Sequence, residues 1–390
     1  MSSQSITPLA HPWNLARLMQ APEAIPVPEL NVGDIQAIYF ESEPYRGKPT
    51  RVFAYYGVPA EASDTKVPAI VLVHGGGGTA FLEWIKLWTD RGYAAIAMDL
   101  EGHLPLAKDS EGKRPSHDWS GPSRQGEFGD YALPVGEQWM YHAVAAVIKS
   151  HSFLRSLAEV DSGRVGIHGI SWGGIVTSIV SGVDHRFAFS IPVYGCGYLY
   201  EASNRYGEAF ARMPETYAEQ IKRWWDPSTY LPHSTMPMLW VNGDADAHFP
   251  LHLTSKSYEV SRSRRSESLL SIQFGLGHSH AKGWSPKEIY AFADQIVRGG
   301  QPLAQLTELV ESNGQALARY MAEGSLITAE LRYTLDTSDW FHMNWEVAEA
   351  AVDPLQREIR ADIPVGTRAY FILVTDDRDY TVCSSIQHLG

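Results

Sequence analysis

The chain has 390 residues, 44% hydrophobic and 20% charged, which is the balance of a soluble globular protein with room for one large core or two smaller ones. Acidic residues outnumber basic ones 45 to 32, and the net charge of −13 argues against nucleic-acid and anionic-membrane partners, which need a basic face. Two cysteines, Cys196 and Cys383, exclude a disulfide framework and read as free thiols.

Residues 1–30 are proline-rich and loosely patterned, as expected of an arm lying on a domain. Met1–Pro12 has neither a basic segment followed by an apolar one nor a membrane-spanning run, so a cytoplasmic location is expected, with a trimmed secreted form also allowed. Residues 31–60 alternate apolar and polar around a proline-bounded turn, which predicts an antiparallel pair. Pro68–Val73 is a continuous apolar run, the pattern of a strand buried on both faces, and it ends in His74-Gly75-Gly76-Gly77-Gly78. A helical stretch with Trp84, Leu87 and Trp88 follows, then a second buried strand from Tyr93 to Met98.

Residues 101–136 read as loop, and Glu137–Ala158 as a long helix. Strands are predicted at Arg164–His168, Phe187–Tyr194, Met236–Val241 and Leu269–Phe274, with a helical insertion at 198–235. Ser285-Pro286-Lys287-Glu288 reads as a helix start with a serine cap and proline in the first turn. This alternation predicts an α/β domain over 31–324 built on a doubly wound, mostly parallel sheet. Residues 300–324 look helical, and five short runs between Ala329 and Ile386 predict a small all-β unit, a β-sandwich, over 325–390.

Functional groups on such sheets gather at the C-terminal strand ends. There the sequence reads Gly169-Ile170-Ser171-Trp172-Gly173, a G-x-S-x-G turn between a strand and a helix that would lift the Ser171 hydroxyl clear of the sheet. A serine hydroxyl needs a base, and the base an orienting carboxylate. Asp246 and His278 follow Ser171 in the order expected for this sheet, each in a loop after a strand. Asp244 is the rival acid and His280 the rival base. His278 and His280 form an H-x-H pair, but no acidic or cysteine partners at metal spacing accompany them, so no metal and no cofactor is expected. An oxyanion hole needs two backbone N–H donors, expected from Trp172 and from Gly76 or Gly77. His74, Trp84, Trp224 and Trp225 are candidate pocket residues, the tryptophans competing with a plain packing role.

Taken with Pro192-Val193-Tyr194-Gly195-Cys196-Gly197, Leu239-Trp240-Val241-Asn242-Gly243 and Gly277-His278-Ser279-His280, these segments resemble the α/β-hydrolase superfamily, and within it the acetylxylan-esterase-like or dienelactone-hydrolase-like group. The resemblance runs from about residue 31 through the C-terminal β region. It implies a serine carboxylesterase whose acid falls on Asp246, acting on a small-molecule or carbohydrate ester, with removal of an acetyl group the leading expectation. Two rivals remain. One is a prolyl-oligopeptidase-type peptidase on the same sheet. The other is a non-catalytic protein binding a glycan or partner through Trp340, Phe341 and Trp345. A homo-oligomer is compatible with the sequence, which does not set the oligomeric state.

Overall fold

The computed structural model describes residues 9–63, 65–307 and 309–389. Its strands are β1 Ala24–Pro26, β2 Gln36–Glu41, β3 Arg51–Gly57, β4 Val67–Val73, β5 Ala94–Met98, β6 Val160–Ile170, β7 Phe189–Val193, β8 Leu239–Ala245 and β9 Leu269–Gly277. They continue with β10 Gln305–Leu306, β11 Val310–Ser312, β12 Gln315–Met321, β13 Leu326–Thr334, β14 Glu346–Glu349, β15 Ala351–Asp353, β16 Glu358–Asp362, β17 Ala369–Asp376, β18 Thr381–Cys383 and β19 Gln387–His388. The helices are α1 Leu15–Leu18, α2 Leu82–Thr89, α3 Trp139–Ser156, α4 Trp172–Ser181, α5 Arg205–Arg212, α6 Glu215–Trp225, α7 Leu251–Arg264, α8 His280–Gly283 and α9 Glu288–Arg298. Among the described residues no helix is long and apolar enough to cross a membrane.

One sheet runs β1-β2-β3-β5-β4-β6-β7-β8-β9-β18-β17-β13-β14, with β19 beside β17. Pairing from β5 through β9 is parallel and both flanks are antiparallel. Every residue of β4, β5 and β7 is buried, as strands covered on both faces must be. The cover alternates along β6. His168 packs its ring edge-on against Trp84 of α2. A Cβ at the next residue, Gly169, would lie 2.1 Å from Thr177 Oγ1 of α4. The sheet is therefore doubly wound, with α2 on one face and α4 on the other.

The described part of the N-terminal arm is built into the fold. β1 pairs with β2, and the buried Trp13 donates its indole N–H to Tyr141 O at 2.9 Å. The last helix, α9, starts at Glu288, later than the Ser285 cap predicts, and the Ser285 hydroxyl donates to Lys282 O instead.

The expectation of helix over 300–324 is corrected: β10, β11 and β12 occupy it. β12 pairs with β16, and together with β10, β11 and β15 forms a second sheet. A boundary at 324/325 would cut that sheet, so the C-terminal β unit begins near residue 300. One of the five short runs, Phe341–Val347, is mostly irregular, and pairing begins only at Glu346. The β unit is not a detached module either. Its strand β18 pairs antiparallel with β9, extending the main sheet into one layer of the sandwich.

Candidate active site

Three strand ends converge on Ser171. β6 stops at Ile170, Ser171 takes φ +59° and ψ −122°, and α4 starts at the next residue. A non-glycine residue at positive φ is strained and needs its surroundings to hold it. Here the Ser171 amide donates to Val193 O at 2.9 Å and its carbonyl accepts from Ile175 N at 3.1 Å. The turn closes only with glycine on either side. A Cβ at Gly169 would meet Gly173 O at 2.2 Å, and one at Gly173 would meet Val73 O at 2.0 Å.

The Ser171 hydroxyl lies 2.9 Å from His278 Nε2, and His278 Nδ1 lies 2.8 Å from Asp246 Oδ2. Asp246 has no exposed side-chain surface. Its other oxygen accepts the His248 and Phe249 amides at 2.6 and 3.0 Å, so the carboxylate is held from both sides. With Nδ1–H donated to a carboxylate, Nε2 is left as the acceptor for the serine proton. The His278 ring is walled by Tyr194 at 4.7 Å, His248 at 4.2 Å and Phe249 at 6.0 Å between centroids. Burial, then the neighbouring His278, pushes the His248 imidazolium below its ordinary range, which keeps a second cation away from the base.

Both rivals have other tasks. Asp244 Oδ1 accepts the Gly275 amide at 2.6 Å, tying together the ends of β8 and β9. His280 Nε2 accepts the Gly75 amide at 2.9 Å, and burial pushes its imidazole down to about 4. His280 Nε2 is thus engaged by the glycine loop, hooking it to α8, while Ser171 Oγ pairs with His278. Among the described residues no group of three or more His, Cys, Asp or Glu could hold a metal ion.

The glycine loop is held at three further points. His74 Nε2 accepts the Leu100 amide at 2.9 Å and its Nδ1 lies 2.7 Å from Gly75 O, so His74 backs the loop instead of lining a pocket. The Gly77 amide donates to Glu101 Oε1 at 3.2 Å, which removes it as an oxyanion donor and leaves Gly76. Gly78 N donates to Gly75 O at 3.0 Å, closing the turn. On the other side, the Trp172 amide opens α4, where no acceptor within the helix exists for it.

The expected pocket tryptophans are corrected as well. Trp84 is fully buried against His168 and Trp284. Trp225 is fully buried and bonds its indole to Gln138 Oε1. Trp224 stacks with Arg223 on the insertion. The aromatic wall beside the nucleophile is formed by Phe128, Trp139 and Tyr206 around the Trp172 ring, at 5.2, 5.6 and 5.6 Å. The 198–235 insertion therefore does reach the site, through Tyr206. Asp99 serves the local turn, accepting the Glu101 and His103 amides, whereas Glu101 grips the glycine loop. The only sequence signal for Tyr194 and His248 was their place just past a strand end.

The acetyl xylan esterase (AXE1) family model matches residues 29–207, and the prolyl oligopeptidase family model matches residues 125–298. Both spans contain Ser171, and only the second contains Asp246 and His278. No curated protein matches the sequence. Among solved structures the chain is similar to an acetyl xylan esterase from Paenibacillus sp. R4, with 16% identity, a TM-score of 0.53, and 74% of this chain and 96% of that one covered. It is also similar to Acetyl Xylan Esterase 1 from Thermoanaerobacterium sp. JW/SL YS485, with 17% identity, a TM-score of 0.53, and 73% and 91% covered. These likenesses establish the α/β-hydrolase fold. Each family match spans less than half of the chain.

Proposed function

We propose that this α/β-hydrolase is a serine carboxylesterase that removes a small acyl group, acetyl first among them, from a carbohydrate or related ester. The observation that carries the proposal is the unbroken hydrogen-bond chain Ser171 Oγ–His278–Asp246. In this reading Ser171 Oγ attacks the ester carbonyl carbon while His278 Nε2 takes its proton. The tetrahedral oxyanion is met by the Gly76 and Trp172 amides. The imidazolium, stabilised by Asp246, then protonates the leaving alcohol, and an acyl-enzyme remains. His278 next deprotonates a water that attacks the acyl carbon. The proton returns to Ser171 as the free acid departs.

The enzyme should release 4-nitrophenol from 4-nitrophenyl acetate with a burst. Ser171→Ala should lower the rate by on the order of a million-fold, as loss of the nucleophile does in serine hydrolases generally. A fluorophosphonate should label Ser171, read by peptide mass spectrometry. Undiminished turnover in Ser171→Ala would overturn the proposal. The prolyl oligopeptidase match over 125–298 motivates one rival, a peptidase. Release of acetate from acetylated xylo-oligosaccharides with no cleavage of a proline anilide separates the two.

A further inference from the structure

β7 ends at Val193, and the next residue, Tyr194, takes φ +44°. Positive φ is an outlier for a bulky side chain and persists only where the surroundings hold it. Here the Tyr194 amide donates to Val241 O of β8 at 2.9 Å, and the carbonyl one residue earlier, Val193 O, accepts the Ser171 amide. The side chain is fully buried. Its ring centroid stands 4.7 Å from that of His278, the two planes tilted by 39°. Its hydroxyl lies 3.3 Å from Gly277 O and 3.4 Å from Ser279 O, the two carbonyls that bracket the base. Burial, then the Asp246 charge, pushes the phenol above its ordinary range, so the hydroxyl keeps its proton and donates it.

The segment that Tyr194 grips is less enclosed than the strand leading into it. β9 is buried from Leu269 to Ile272, whereas Gln273–Gly277 is half-buried with Gly275 exposed. Its ladder to β8 shifts register between Gly243 and Ala245. Asp244 fixes this segment at the Gly275 amide, and the Gly283 amide donates to Ser279 O at 2.9 Å. Tyr194 adds a tie from the buried end of β7 that reaches the chain on both sides of His278. In the mechanism above His278 moves protons between Ser171 Oγ, the leaving alcohol and water, so Nε2 has to return to one place in each step. Misplacing such a group by about 1 Å can cost on the order of a hundredfold in rate.

We propose that Tyr194 is a positioning residue for the general base: it fixes the main chain around His278 so that Nε2 stays within reach of Ser171 Oγ through both proton transfers. This rests on the serine esterase reading above. Tyr194→Phe keeps the ring and removes the hydroxyl, and Tyr194→Leu removes both. A fluorophosphonate, reacted to completion, counts the active sites in each preparation, and turnover of 4-nitrophenyl acetate is expressed per titrated site. Tyr194→Phe should lower kcat per site about three- to tenfold, the effect of one lost hydrogen bond. Tyr194→Leu should lower it about a hundredfold, the effect of a displaced base. KM should stay unchanged and the burst rate should fall by the same factor as kcat, because acylation and deacylation both use His278. A merely structural role would instead reduce the number of titrated sites and leave turnover per site at the wild-type value. That result, or a raised KM with kcat unchanged, overturns the proposal. Should Tyr194→Leu fail to fold, Tyr194→Phe decides alone. A wild type that neither hydrolyses 4-nitrophenyl acetate nor reacts with the fluorophosphonate removes the esterase reading beneath it.

Discussion

Asp244 and Asp246 carry the same functional group two residues apart, and the backbone assigns them different tasks. Asp244 still lies in β8, where its carboxylate caps the Gly275 amide across to β9. One residue later the ladder ends, the Asp246 amide turns back to Gly243 O at 3.2 Å, and the side chain swings under His278. Asp246→Asn should lower kcat by about 10⁴, the loss expected when the orienting carboxylate is replaced and the imidazole takes the wrong tautomer. Asp244→Ala should stay within about tenfold of wild type, because surface turn contacts away from the chemistry have small effects. Steady-state kinetics on an aryl acetate decides, and the reverse ranking would move the acid to Asp244. The nucleophile, the base and the glycine loop were legible because each sits directly after a strand at a fixed motif position. The choice of acid was not, since sequence spacing does not say at which residue a strand releases its chain. Glu101 was illegible for a related reason: a loop of 36 residues has no periodicity to tell which side chain it brings back to the site.

At the level of elements, the parallel strands were readable from their apolar runs, whereas β12 was not. Gln315–Met321 is composed mostly of residues that favour helices, and two of its three inward positions, Ala316 and Ala318, carry small side chains that mask the period of two, leaving Tyr320 as the one large inward residue. Pairing with β16 overrides the local preference. The Asn313-Gly314 turn between β11 and β12, with φ of +53° and +77°, was a legible hairpin signal that the helical reading of 300–324 passed over. Docking of the β unit could not be read from sequence at all. It rests on β18 against β9, on Thr381 N donating to Glu288 Oε1 at 2.8 Å, and on Ile386 N donating to Ser255 Oγ at 2.8 Å. Trp340, which the rival glycan-binding reading would place on the surface, stacks on His252 of α7 at 4.3 Å. A chain ending at Gly299 would open the edge of β9, the strand leading into His278, and strip the buried Glu288 of its Thr381 donor. It should be aggregated or inactive, measured by size-exclusion chromatography and ester turnover. A monomeric, fully active fragment would show that the β unit is only an accessory.

For the whole molecule, buried histidines set the response to acid. Burial pushes His142, His151 and His280 down to about 4, and His168 and His252 down to about 3. In the unfolded chain each would titrate near 6.5. The folded state therefore binds fewer protons, and the stability tied to these neutral rings is complete above pH 6.5 and falls as pH drops toward their folded values. Each contributes up to about 1.4 kcal/mol per pH unit in that window. Thermal unfolding followed by circular dichroism should show Tm falling steadily from pH 7 to pH 5. A flat or rising Tm would mean that these rings are already charged in the fold.

The bond from Gly75 to His280 ties the strand end that presents the oxyanion donor to the segment that carries the general base. In the proposed mechanism both halves of the cycle use both parts, so neither half can be disabled alone by prying them apart. A compound wedged between these two residues would arrest esterification of the enzyme and its regeneration alike, leaving the serine unmodified and the block reversible on dilution.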